Sequence, residues 1–137
     1  MPPDLATALA AHSDDFEWQY TDGQEGRDDV IRWKTFCGGK DSTTQGFTFG
    51  ICEVPPGALL DPHHHADTEA YYIQGGNSDI LLGDQVVHVT PGSVLYTPAD
   101  LTHGIRNSGT ETLVLLWIFP VDKWSDVEYH MEYEKKF

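Results

Sequence analysis

From Val30 to Phe119 no single periodic pattern runs on for long. Short apolar or alternating segments recur: Val30–Phe36, Gly46–Val54, Glu69–Gln74, Asp79–Leu82, Val86–Val89, Ser93–Tyr96, His103–Asn107 and Thr112–Phe119. Between them stand Gly38-Gly39, Pro55-Pro56-Gly57, Gly75-Gly76-Asn77, Gly83-Asp84, Pro91-Gly92, Pro98 and Ser108-Gly109. Strand-length segments punctuated by glycine and proline predict an all-β sandwich or barrel. Leu81 to Val87 reads as a tight hairpin across Gly83-Asp84. Upstream, alanine and leucine at helical spacing predict a short helix over 3–12. The polar stretch from Asp14 to Asp29 reads as an arm with one short strand near Phe16 to Tyr20. Residues 1–29 are thus expected to form an arm and 30–137 one barrel domain. After Pro120 a single helical turn is expected over Val121 to Val127, then an extended segment to Tyr133.

The chain has 137 residues, enough for one domain with its own core. Its net charge is −14, with only 8 lysines and arginines. Nucleic acid and anionic membranes are therefore excluded as expected partners, because phosphate binding needs clustered cations. Cys37 and Cys52 form no CxxC pair, so no redox motif is present. They read as reduced, buried thiols, although adjacent strands would also allow a bridge. No segment has the ~20 apolar residues of a membrane span, and the N-terminus lacks the basic region of a signal peptide. A soluble cytoplasmic protein is the expectation.

Metal-binding residue types concentrate in Asp61-Pro62-His63-His64-His65-Ala66-Asp67-Thr68-Glu69, with His103 further on. In a strand His63 and His65 share one face and His64 points away. A short turn then returns Glu69 beside them. Imidazoles with one carboxylate suit Fe, Mn, Ni, Co or Zn as divalent ions. Calcium and magnesium prefer shells of oxygen. His12, His64, His88 and His130 read as solvent-facing or hydrogen-bonded residues.

The spacing resembles the cupin family. Gly57, five residues, His63, one, His65, three, Glu69, six, Gly76 is similar to the first cupin motif. Gly92, five residues, Pro98, one, Asp100, two, His103, three, Asn107 is similar to the second, with Asp100 where the family has glycine. Aspartate tolerates unusual turn geometry. The resemblance implies a double-stranded β-helix, the jelly-roll barrel, with His63, His65, Glu69 and His103 as ligands of one divalent transition metal. It also implies pairing into a homodimer, for which the arm is a candidate element.

A narrower resemblance rests on Glu69-Ala70-Tyr71, the entry strand Ile31-Arg32-Trp33-Lys34, and the tail Trp117-Ile118-Phe119-Pro120 to Tyr129. These are similar to small single-domain cupin lyases that cleave dimethylsulfoniopropionate (DMSP) to dimethyl sulfide and acrylate. The resemblance implies catalytic roles for Tyr71 and Tyr129. Tyr71 is the candidate general base, because its phenol shares the face of Glu69 and a nearby metal favours phenolate. A sulfonium end calls for an uncharged aromatic lining, with Tyr72, Trp33, Trp117 and Trp124 as candidates. The same ligand set also allows an Fe(II) dioxygenase, an isomerase of small acids or sugars, or a non-catalytic small-molecule-binding cupin.

Overall fold

The alternating segments form two antiparallel sheets in this computed structural model, which describes residues 8–40 and 44–137. The first sheet runs β1 (Gln19–Tyr20), β2 (Arg32–Cys37), β3 (Thr48–Val54), β10 (Leu113–Phe119), β5 (Glu69–Gly75), β8 (Val94–Thr97). The second runs β11 (His130–Met131), β4 (Leu59–His64), β9 (His103–Arg106), β6 (Ser78–Leu82), β7 (Gln85–Val89). Together they make an all-β jelly roll, the double-stranded β-helix expected from the motifs. The Gly83-Asp84 hairpin joins β6 to β7, with Leu82 opposite Gln85.

Strand β10 shows how the pattern becomes a core. Leu113, Leu115, Trp117 and Phe119 are buried, while Val114, Leu116 and Ile118 turn to the other face. The buried set packs with Ile73, Ile80, Ile105 and Val54 between the sheets. Burying each large apolar side chain stabilises the fold by roughly 1.5–3 kcal/mol. Strand β4 was missing from the sequence expectation as a strand of its own; Pro62 and a run of polar residues hide its alternation.

The expected N-terminal helix is corrected over 8–12, which carries no helix; residues 3–7 of that prediction lie outside the described residues. A single 3-10 turn, Ser13–Asp15, begins instead just after it. His12 caps that turn: Nδ1 accepts from the Asp14 N–H at 3.0 Å, and the His12 N–H donates to Asp15 at 2.9 Å. This is a start signal at the position where the alanine pattern would have required continuation. The arm then folds onto its own barrel. Strand β1 pairs with β2, the rings of Phe16 and Phe36 meet at 5.0 Å, and buried Lys34 donates to the Ser13 carbonyl at 2.8 Å.

Both cysteines are free thiols. Strand register pairs Trp33 with Cys52 and Phe49 with Cys37, which offsets the two along the ladder. Among the described residues no helix is long and apolar enough to cross a membrane. After Pro120 the expected turn is a 3-10 turn, Trp124–Asp126, and only His130–Met131 of the expected final segment is strand.

Candidate metal centre

Strand segments from both sheets place the histidines and glutamate. His63 lies on β4, His65 just beyond it, Glu69 opens β5 and His103 opens β9. Register alone would not bring His63 opposite His103. Leu60 pairs with Ile105, yet His63 pairs with His103, so β4 carries one extra residue over that interval. Asp61-Pro62 absorbs the bulge, as expected where proline has no N–H for the ladder. Gly104 on β9 makes room for it, because a Cβ there would lie 2.8 Å from the Leu60 carbonyl oxygen and 3.2 Å from the Pro62 nitrogen. Asp100 secures the turn before His103: its N–H donates to the His65 carbonyl at 2.8 Å. Its φ of 62° is the left-handed conformation that glycine serves in the family pattern, and it is the one non-glycine residue with positive φ among those described.

All three imidazoles are oriented by the same device. Nδ1 of His63 lies 2.8 Å from the Asp61 carbonyl, Nδ1 of His65 lies 2.8 Å from that of Asp67, and Nδ1 of His103 lies 2.9 Å from that of Leu101. A carbonyl only accepts, so each Nδ1 carries a proton and Nε2 is the ring atom left to meet a cation. The histidine ligand atoms lie within 4.8 Å of one another, and the three rings are buried. Glu69 joins them, with Oε1 3.1 Å from His103 Nε2 and 3.3 Å from His65 Nε2. His65 Nε2 is buried without a hydrogen-bond partner. Lone pairs facing a carboxylate in a buried site repel unless a proton or cation intervenes. These residues therefore fit a divalent metal ion, with the Nδ1 bonds as its orienting outer partners.

Electrostatics agree with that donor set. Burial, with His103 and His65 alongside, depresses His63 to about 4, so this ring is neutral and available. Burial opposes charge on His65, but the Glu69 carboxylate outweighs it and raises the imidazole. Burial likewise opposes charge on Glu69, and hydrogen bonding to His103 and His65 reverses this, holding the carboxyl below its ordinary range.

A cavity of about 650 Å³ opens onto this cluster, lined by His63, Glu69 and Tyr71 at its base. Trp33, Trp117, Trp124 and Tyr129 also line it, so five of the expected aromatic positions, with Tyr71, come together. Gly50 on β3 leaves space beneath Trp117; a Cβ there would collide with the Lys34 carbonyl and press on the Trp117 ring at 2.6 Å. Strand β11 brings the tail in by pairing Met131 with His63 and His130 with His64. The Tyr129 ring thus lies tilted 5.1 Å from that of His63 and edge-on 5.3 Å from that of His65. Burial and the Glu69 charge push the phenols of Tyr71 and Tyr129 well above their ordinary range.

Two expectations need correction. Tyr72 is 45% exposed on the outer face of β5 and does not line the cavity, because alternation sends it opposite to Tyr71. The lining is also not uncharged, since Asp29 and Asp61 belong to it. Sequence reasoning had passed over Asp61, Cys52 and Met131. The bulge at Asp61-Pro62 breaks the alternation there, so strand parity gives no signal for Asp61. Burial, with the Glu69 and Glu53 carboxylates, pushes the Cys52 thiol up to about 12. Elsewhere, His64 stacks on His130 at 5.1 Å and His88 bonds Asp79 at 3.0 Å, as expected for histidines outside the centre.

The fold is a cupin-type barrel whose His63, His65 and His103 could hold a metal ion, and the cupin domain profile matches residues 50–119. The chain belongs to the cupin family. It is 33% identical over 100 residues to the dimethylsulfoniopropionate lyase DddW of Ruegeria pomeroyi, covering 72% of this chain and 64% of that protein. It is 35% identical over 83 residues to the oxalate decarboxylase OxdC of Bacillus subtilis, covering 56% of this chain and 22% of that one. The chain thus spans less than two thirds of the length of either relative. Among solved structures, the polyketide cyclase RemF of Streptomyces resistomycificus superposes with a TM-score of 0.75 at 18% identity, over 91% of this chain and 85% of that one, and shares the fold.

Proposed function

We propose that the protein is a metal-dependent carbon–sulfur lyase that splits dimethylsulfoniopropionate into dimethyl sulfide and acrylate. The observation that carries this reading is the placement of two phenols, Tyr71 and Tyr129, against the His63–His65–Glu69–His103 cluster in one cavity. The 33% identity to a lyase of that specificity supports it.

The reaction is a β-elimination. A base removes a proton from the α carbon, the electron pair becomes the new carbon–carbon double bond, and the carbon–sulfur bond breaks to release neutral dimethyl sulfide. A divalent ion held by His63, His65, Glu69 and His103 would supply the positive charge that acidifies a carboxylate's α proton and favours phenolate over phenol. Tyr71 accepts the proton at its phenol oxygen. Its position beside Glu69 makes it a poor base in the metal-free chain, where burial and that carboxylate both hold the proton on. Tyr129 orients the substrate, and its oxygen receives a hydrogen bond from the Trp124 indole at 3.2 Å. The rings of Trp33, Trp117 and Trp124 face the sulfonium and exclude water around it.

A second reading, action on a larger apolar substrate, is favoured only by the cavity's size, which falls in the range that holds drug-sized ligands. The deciding experiment is anaerobic headspace detection of dimethyl sulfide after stripping metal and reloading Fe(II), Mn(II), Ni(II) or Zn(II). Metal-dependent release without oxygen supports the lyase and excludes a dioxygenase. No release with any metal would end the DMSP reading.

A further inference from the structure

Among the described residues no lysine or arginine lines the cavity, whereas Asp29, Asp61 and Glu69 all do. Two of these acids are compensated. Glu69 faces imidazoles at 3.1 and 3.3 Å, and Asp29 pairs with the Arg27 guanidinium at 2.8 Å. Asp61 is half-buried and has no ion-pair partner among the described residues. It sits two residues before His63, whose Nδ1–H its carbonyl accepts, so its place relative to the metal ligands is fixed. The walls that accompany it include Trp33, Trp117 and Trp124, and the whole chain carries −14. A lining of this sign repels a plain carboxylate anion. It accepts a carboxylate whose other end is a cation, because that ligand enters neutral and its cation meets a carboxylate and ring faces.

We propose that Asp61 is a specificity-determining residue, and that the cavity selects carboxylates bearing a permanent cation, quaternary ammonium as well as sulfonium, over bare carboxylate anions. The orientation, carboxylate toward the metal cluster, rests on the lyase reading. Two consequences follow from the chemistry. A quaternary ammonium occupies the same place without being cleaved, because an amine is a far poorer leaving group than a sulfide. Elimination also converts a neutral zwitterion into neutral sulfide plus acrylate anion, so the product left behind has lost the charge that Asp61 favoured. Acrylate is therefore expelled by the same residue that admitted its precursor.

The test is calorimetric titration of Zn(II)-loaded protein with trimethylammoniopropanoate, its carbon isostere 4,4-dimethylpentanoate, and acrylate, in wild type and Asp61→Asn. The zwitterion is expected to bind about tenfold or more tighter than either anion in wild type. In Asp61→Asn that preference shrinks severalfold while the isostere binds at least as well as before, which also reports an intact fold. Equal or tighter binding of the isostere in wild type, or no binding of the zwitterion, overturns the proposal; so does an unchanged preference in Asp61→Asn. Selective zwitterion binding without dimethyl sulfide release would refute the lyase and leave the selectivity standing. Release of dimethyl sulfide with no preference for the cation would do the reverse.

Discussion

The indole Nε1–H of Trp124 donates to the phenol oxygen of Tyr129 at 3.2 Å. Trp124 is itself held by a tilted ring contact with Trp33 at 5.7 Å and by its own N–H, which donates to the Gly38 carbonyl at 2.9 Å. A chain of contacts thus runs from the entry strand β2 through Trp124 to Tyr129 and on to the ring of His63. Since the Tyr129 oxygen accepts from Trp124, its own O–H is left to point elsewhere. Trp124 is then a positioning residue for Tyr129. In Trp124→Phe, kcat for dimethyl sulfide release should fall about tenfold while KM stays within about twofold. The indole N–H resonance of Trp124 should move upfield in Tyr129→Phe, where the acceptor is gone. An unchanged kcat would mean that the indole hydrogen bond does not position Tyr129.

Tyr71→Phe deletes one oxygen and keeps the ring that fills the wall, so the fold should survive with a change in stability of about 1 kcal/mol. Metal content should stay at the wild-type level, because the four ligands are untouched. Dimethyl sulfide release should fall by at least about a hundredfold. Retention of more than half the activity would remove Tyr71 as the base.

At Gly104 the backbone of the β4 bulge packs against β9. Gly104→Ala places a methyl group against backbone, which has no rotamer to yield. The bulge at Asp61-Pro62 must shift, and His63 moves with it. Metal affinity should drop by about tenfold or more, because displacing one ligand breaks a multi-ligand site. Titration with Zn(II) against a competing chromophoric chelator would measure this. Unchanged affinity would mean that the bulge does not set the position of His63.

The metal-free protein should show an unusual histidine titration. His63, with its proton held on Nδ1 by the Asp61 carbonyl, should stay neutral until the pH approaches about 4. An unfolded chain takes up that proton near 6.5, so this group withdraws stability as pH falls from 6.5 toward 4. His65 behaves oppositely: its raised imidazole contributes stability that is present below 6.5 and lost as pH rises through its folded value. Nitrogen-15 spectra of the imidazoles would resolve the two. Simultaneous titration of His63 and His65 near 6.5 would contradict the geometry.

Much of this architecture was legible in the amino-acid sequence because alternation and turn residues are local signals. Strand β5 and the segregation of Glu69 and Tyr71 from Ala70 follow from a period of two alone, and the same rule, applied to Tyr72, excludes it from the cavity. That His63, His65, Glu69 and His103 would come together was readable from motif spacing. Asp100 in place of glycine was readable as a tolerated departure, and its φ of 62° shows the conformation that had to be tolerated. What was not legible depends on pairs of strands. The β4 bulge exists only relative to β9, and the arm's approach to the cavity through Thr21, Gln24 and Asp29 is a long-range contact with no local pattern. Over 8–12 the expected helix rested on alanine composition, and the start signal that the chain uses lies at His12.

The central claim is that one divalent ion in the His63–His65–Glu69–His103 cluster is required for elimination. Its most direct test is a titration of metal-free protein with the best activating metal, with bound metal and dimethyl sulfide release measured on the same samples. The account predicts that release rises in proportion to occupancy and saturates at about one ion per chain, and that His103→Ala abolishes both. Release that does not depend on occupancy, or full occupancy in His103→Ala, would contradict it.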